Sequence, residues 1–172
     1  MERKGAVTFK GNPLTLLGAE IKKGDKAPDF KTTGKDLKEV TLKDFAGKAK
    51  IISVTPSLDT PVCDAQARRF NQEAARLPGV AIINISMDLP FAISRFCTTA
   101  GIENIQTLSD HRDASFGMGY GVLIKELRLL ARSIFVIDAG DVIRHFELVK
   151  EVTSSVDFDA ALKAAEGLLA KR

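Results

Sequence analysis

The sequence predicts an α/β fold, with a central mixed sheet, flanking helices and an N-terminal β-hairpin. Three observations predict it. Short β-branched runs alternate with amphipathic stretches through the middle of the chain, the pattern of parallel strands joined by helical crossovers. Two strand-like runs near the C-terminus flank Ala139-Gly140-Asp141, a hairpin signal. Two more surround Gly11-Asn12-Pro13 near the start. The 172 residues contain no repeat, low-complexity tract or linker-like stretch, so one domain is expected over residues 1–172. That length is enough to bury a core without staples.

The elements follow in order. Val7–Phe9 and Leu14–Leu17 form the first hairpin, and Lys23–Phe30 is a turn-rich lead-in. Val40–Leu42 is a possible short strand. Lys50–Thr55 is a β-branched run that reads as a buried strand and closes at Pro56. Ala67, Phe70, Ala74 and Leu77 keep helical spacing, so a helix is expected over Asp64–Leu77, ended by Pro78-Gly79. Val80–Ser86 is a second buried strand. Pro90–Ala100 reads as a helix with Pro in its first turn and Gly101 as its stop. Ile105–Leu108 is a weaker strand, Arg132–Asp138 and Val142–Leu148 form the second hairpin, and Phe158–Ala170 is a closing amphipathic helix. This order is thioredoxin-like, with an added N-terminal hairpin.

Composition excludes several function classes. The 25 basic residues against 22 acidic ones give a net charge of +3, with no cationic excess for a dedicated nucleic-acid binder. No apolar run of about 20 residues is present to span a membrane. Met1–Lys10 has no apolar stretch of signal-peptide type, which favours a cytoplasmic protein. The two cysteines, Cys63 and Cys97, are too few for a disulfide scaffold or a structural zinc site. They form no C-x-x-C motif.

Cys63 stands at the junction of a buried strand and a helix. Free backbone amides and the helix dipole stabilise a thiolate there, and reactivity rises. Thr60, three residues earlier, can bring its hydroxyl beside the sulfur. Pro56 and Pro61 stiffen the loop. A buried free cysteine is more often a small hydrophobe, and that reading stands beside the reactive one. Arg132 has two readings as well, a solvated edge charge or a group buried beside Ser-Ile-Phe-Val-Ile.

The pattern Pro56-x-x-x-Thr60-x-x-Cys63 resembles the peroxidatic motif of peroxiredoxins. Ser57–Asp64 (SLDTPVCD) is similar to the thiol peroxidase branch, the atypical two-cysteine type. Ser86–Ala92 (SMDLPFA) followed by Arg95-Phe96-Cys97 supports the same branch, although Ile93 stands where a polar residue, commonly Gln, is usual. Ala131–Asp138 (ARSIFVID) matches the strand that carries the family's second active-site arginine. The resemblance runs over essentially the whole chain. It implies that Cys63 is the peroxidatic thiolate, that Thr60 hydrogen-bonds peroxide and sulfur, and that Pro56 shields the site. It implies that Arg132 stabilises the thiolate and orients the peroxide, and that Cys97 resolves the resulting sulfenic acid as an intramolecular disulfide with Cys63. The substrates implied are hydrogen peroxide and alkyl or lipid hydroperoxides, and the reductant is thioredoxin or a similar dithiol protein. A homodimer is the family expectation. No cofactor, metal, nucleic acid or membrane is called for.

Other features carry weaker readings. His111 lies in a polar turn and His145 in an alternating strand. A cysteine hydrolase using Cys63 with either histidine is one competing reading. A peroxide sensor passing oxidation to a partner by thiol exchange is another. Gly117-x-Gly119-x-Gly121 is expected to be a flexible loop, with Val122-Leu123-Ile124 lining an apolar substrate or dimer surface.

Overall fold

The run Ala49–Val54 is buried along its whole length, Lys50 and Ser53 included, so it needs cover on both faces and partners on both edges. It has both, as an inner strand of a seven-stranded sheet. The computed structural model describes residues 1–171, and its elements run in the following order. A hairpin of β1 (Glu2–Phe9) and β2 (Asn12–Leu17) is followed by β3 (Lys31–Thr33) and β4 (Glu39–Thr41). The central unit is β5 (Ala49–Val54), α1 (Pro61–Glu73), β6 (Val80–Ser86), α2 (Pro90–Ala100) and β7 (Gln106–Ser109). Next come α3 (Ser115–Gly119), β8 (Leu123–Ile124) and β9 (Leu129–Leu130). The hairpin β10 (Ser133–Ile137) and β11 (Ile143–Leu148) leads to α4 (Phe158–Leu169).

The large sheet has the order β11-β10-β5-β6-β7-β3-β4. β5, β6 and β7 are parallel, and β10 lies antiparallel to β5 with Ser133 opposite Val54. The sheet is therefore mixed, as the sequence predicts. Successive strand residues point to opposite faces. Ile52, Ile83 and Phe135 enter one apolar cluster with Phe116, Tyr120 and the hairpin residues Val7 and Leu16. Ile51, Ile82 and Ile134 enter the other, with Ala67 and Phe70 of α1, Ile93 and Cys97 of α2, and Ala161 of α4. Helices α1, α2 and α4 thus cover one face. The small sheet β1-β2-β8-β9 and α3 supply residues to the other.

The glycine-rich segment departs from expectation. Gly117 and Gly119 lie in the short helix α3 rather than in a loop. Gly121 has φ +66°, and a Cβ there would fall inside contact distance of the Ala19 carbonyl oxygen. Val122, Leu123 and Ile124 are at most 2% exposed, and Leu123 and Ile124 pair with β2 and β9. They are core, and line no outer surface. Gly121→Ala is expected to cost about 3 kcal/mol or more, from positive φ and from overpacking together. A chemical denaturation midpoint unchanged by the substitution would contradict this packing.

Asp110 explains how α3 starts. It is buried, and its two carboxylate oxygens accept from Phe116 N at 2.9 Å and Gly117 N at 2.8 Å. Those amides have no intrahelical acceptor. Burial pushes the Asp110 carboxyl from 3.8 up to about 6, against the opposing pull of the two amides. The folded state therefore keeps this proton where the unfolded chain has lost it. Its stabilising contribution is complete below 3.8 and is lost as pH rises to about 6. Asp110→Asn is expected to flatten the stability–pH curve in that window by at most about 3 kcal/mol. Urea unfolding across the window checks this.

Candidate active site

β5 ends at Val54, and the chain passes through buried Thr55 and Pro56 into the exposed turn Asp59-Thr60. Thr60 is extended (φ −127°, ψ 149°), and Pro61 takes the first helical position. A proline there loses no helical hydrogen bond. The helix therefore begins three residues before the expected Asp64, because this start signal precedes the first apolar repeat. Cys63 consequently lies inside the first turn, fully buried, where backbone amides lack helical acceptors.

Arg132 immediately precedes β10, and the antiparallel register with β5 brings it to the end of the sheet from which α1 departs. It is 2% exposed. Its guanidinium is held on three sides. Nη2 donates to Cys63 Sγ at 3.2 Å, Nη1 to Gln66 Oε1 at 2.9 Å and Nε to the Val152 carbonyl at 3.0 Å. Gln66 is buried one helical turn after Cys63 and is itself fixed by donating to Ser53 Oγ at 2.7 Å. Val152 is fixed too, since its N–H donates to Thr8 O at 2.8 Å. The neighbouring Glu151 carboxylate accepts from Thr8 Oγ1, Lys10 N and Gly11 N, which staples this loop to the N-terminal hairpin. Those donors, Thr8 first, hold the Glu151 carboxyl down to about 2.

None of the three acceptors on Arg132 is a carboxylate. A buried guanidinium is costly unless an anion balances it. Among the described residues, its ionisable acceptor is the Cys63 sulfur. The pair thus sets a fixed cation against that sulfur, and the remaining acceptors lock the cation in place. Gln66 was not among the residues singled out from sequence. The available signal was a polar residue at i+3 from Cys63 on the buried face of α1.

The other expected residues are placed differently. Thr60 is exposed, and its hydroxyl donates to the Ser57 carbonyl at 3.1 Å rather than to the sulfur. As the extended residue before the helix, it turns its side chain back over the loop. Pro56 is buried behind the loop. Cys97 lies in α2, 4% exposed, with Sγ 3.3 Å from Thr107 Oγ1. Both cysteines are free thiols on separate helices, so the structure does not bring them together as a disulfide. Neither histidine bonds Cys63. His111 Nδ1 shares a 2.8 Å hydrogen bond with Ser109 Oγ, and His145 Nε2 is buried without a partner among the described residues. The cysteine hydrolase reading therefore lacks its base. No helix among the described residues is long and apolar enough to cross a membrane.

Residues 22–163 match the Redoxin family model, and the chain belongs to that family. It is 57% identical over 164 residues to a protein of Halalkalibacterium halodurans named thiol peroxidase, covering 95% of this chain and 99% of that one. A thiol peroxidase of Staphylococcus aureus is 54% identical over 162 residues, covering 94% and 98% of the two chains. A crystal structure of a peroxiredoxin-like protein from Aquifex aeolicus superposes with a TM-score of 0.90 at 39% identity, covering 95% of this chain and 97% of the other. Within the redoxins, the fold and these relatives place the chain among the thiol peroxidases, peroxidases of the peroxiredoxin type.

Proposed function

We propose that this enzyme reduces hydrogen peroxide and alkyl or lipid hydroperoxides through Cys63, forms an intramolecular disulfide with Cys97, and is recycled by thioredoxin or a similar dithiol protein. The observation that carries the reading is the buried Arg132 guanidinium, whose one ionisable acceptor among the described residues is Cys63 Sγ at 3.2 Å. The Cys63 thiolate attacks the terminal peroxide oxygen. The O–O bond breaks, the leaving oxygen departs as alcohol or water with a proton, and the sulfur becomes a sulfenic acid. Arg132 offers a fixed fork of donors to the charge developing on the oxygens, at a site where Cys63 and Arg132 are both buried. Thr60, exposed three residues before Cys63, is the hydroxyl that receives the arriving peroxide in this reading.

In the second step the Cys97 thiol attacks the sulfenic sulfur, a disulfide forms and water leaves. A disulfide needs Cα atoms within about 7 Å and suitably directed Cβ vectors. Since both thiols are buried on separate helices, the first turn of α1 unwinds to deliver Cys63. An outside dithiol then reduces the bond and restores both thiols. We infer a cytoplasmic homodimer as the working form. The test is multiple-turnover peroxide consumption with thioredoxin, thioredoxin reductase and NADPH. Sustained NADPH oxidation supports the peroxidase. A single equivalent consumed, followed by thiol exchange with some other protein, supports a sensor instead.

A further inference from the structure

Asp88 links the two segments that carry the cysteines. It lies two residues before Pro90, the first residue of α2. Its carboxylate reaches across to the other segment, accepting from Ser57 Oγ at 2.7 Å and from Leu58 N at 2.7 Å. It also accepts from Ser86 Oγ at 2.8 Å on its own side, and the Asp88 carbonyl accepts from Ser109 Oγ at the end of β7. No cation is paired with Asp88 among the described residues, so its charge rests on these donors. Ser57 in turn organises the rest of the loop. Its hydroxyl oxygen accepts from Asp59 N at 3.2 Å, and its carbonyl accepts from Thr60 Oγ1. The whole segment from Ser57 to Thr60, which leads directly into the Cys63 turn, therefore hangs on one carboxylate. Beside it lies a cavity of about 310 Å³ lined by Ser57, Asp59 and Asp88 on one side and by Arg95 and Phe96 of α2 on the other. The loop thus borders open space on the side facing the helix of Cys97.

We propose that Asp88 is a positioning residue that latches the Cys63 loop in its peroxide-reactive shape and sets how readily the loop opens toward Cys97. This rests on the reading that Cys63 and Cys97 form a disulfide. The two steps of the cycle place opposite demands on the loop. Attack on peroxide needs the α1 first turn intact, with Cys63 against Arg132. Resolution needs the Cys63 sulfur to leave Arg132, and that movement parts Ser57 and Leu58 from Asp88. A sulfenic acid that waits too long meets a second peroxide, which oxidises it to a sulfinic acid and leaves as alcohol or water. The latch therefore governs the partition between disulfide and sulfinic acid. Hydrogen bonds to a charged acceptor are strong enough for that control.

The experiment compares wild type, Asp88→Ala and Ser57→Ala by rapid mixing with peroxide. It follows Cys63 oxidation, disulfide formation, and the peroxide dose that converts half of Cys63 to sulfinic acid. For Asp88→Ala the first step is expected to slow about tenfold and disulfide formation to quicken about tenfold, with a higher half-conversion dose. Ser57→Ala keeps Asp88 and the Leu58 bond, and is expected to move each quantity the same way by about threefold. It carries the test if Asp88→Ala fails to fold. Both steps slowing together, or disulfide formation proceeding at the wild-type rate, overturns the latch. A wild-type protein that stops at the sulfenic acid overturns the Cys63–Cys97 reading itself, an outcome distinct from a disulfide whose rate ignores Asp88.

Discussion

Cys63→Ser is expected to lower peroxide consumption by at least about a thousandfold, because a serine hydroxyl in the same turn is a far weaker nucleophile toward an O–O bond. No other thiol can take over. Cys97, the chain's second cysteine, is buried in α2 against Thr107 and has no arginine on its sulfur among the described residues. Cys97→Ser is expected to behave differently. The first oxidation keeps its rate, since Cys63 and its three-way-held Arg132 are untouched. One equivalent of peroxide is consumed, and cycling on thioredoxin then stops because no internal disulfide can form. Single-turnover and coupled assays on the two variants separate these roles. A Cys63→Ser protein that still turns over would remove the central assignment.

Arg132→Met is expected to slow the reaction with peroxide by about 10²–10³-fold, the usual effect of losing a fixed donor to a developing charge. Methionine fills similar space without charge. The rate of Cys63 alkylation by iodoacetamide is expected to fall in parallel, because the sulfur loses the cation at 3.2 Å. Arg132→Lys separates charge from geometry. Lysine keeps the charge, but one ammonium cannot reproduce the fork that reaches Sγ, Gln66 Oε1 and the Val152 carbonyl at once. Its rate is expected between those of wild type and Arg132→Met. An Arg132→Met enzyme with unchanged single-turnover kinetics would mean that the contact with Cys63 is packing alone.

Much of this was legible in the sequence wherever local pattern decides structure. The run VAIINIS gave β6 at its full length, and Pro90 with Gly101 bounded α2 at both ends. The expected site residues Cys63 and Arg132 do meet, although 69 positions separate them, because the β5–β10 pairing places them side by side. What stayed hidden depends on long-range bonds between side chain and backbone. α3 is only five residues long and exists because Asp110 receives its first amides, which no periodicity reports. β8 and β9 have two residues each and are strands only through their neighbours. Thr60 turns toward Ser57 rather than the sulfur, and Ser57 is placed by Asp88, 31 positions away. Gln66 reads as a polar helix residue until Arg132 is set beside it.

Pairing of Cys63 with Cys97 is read from the intact mass of the reduced protein after one equivalent of peroxide, followed by non-reducing peptide mapping. A monomer lighter by two hydrogens is expected, with the peptide containing Cys63 joined to the one containing Cys97. A covalent dimer, or a monomer that retains one added oxygen on Cys63 while Cys97 remains a free thiol, would contradict it.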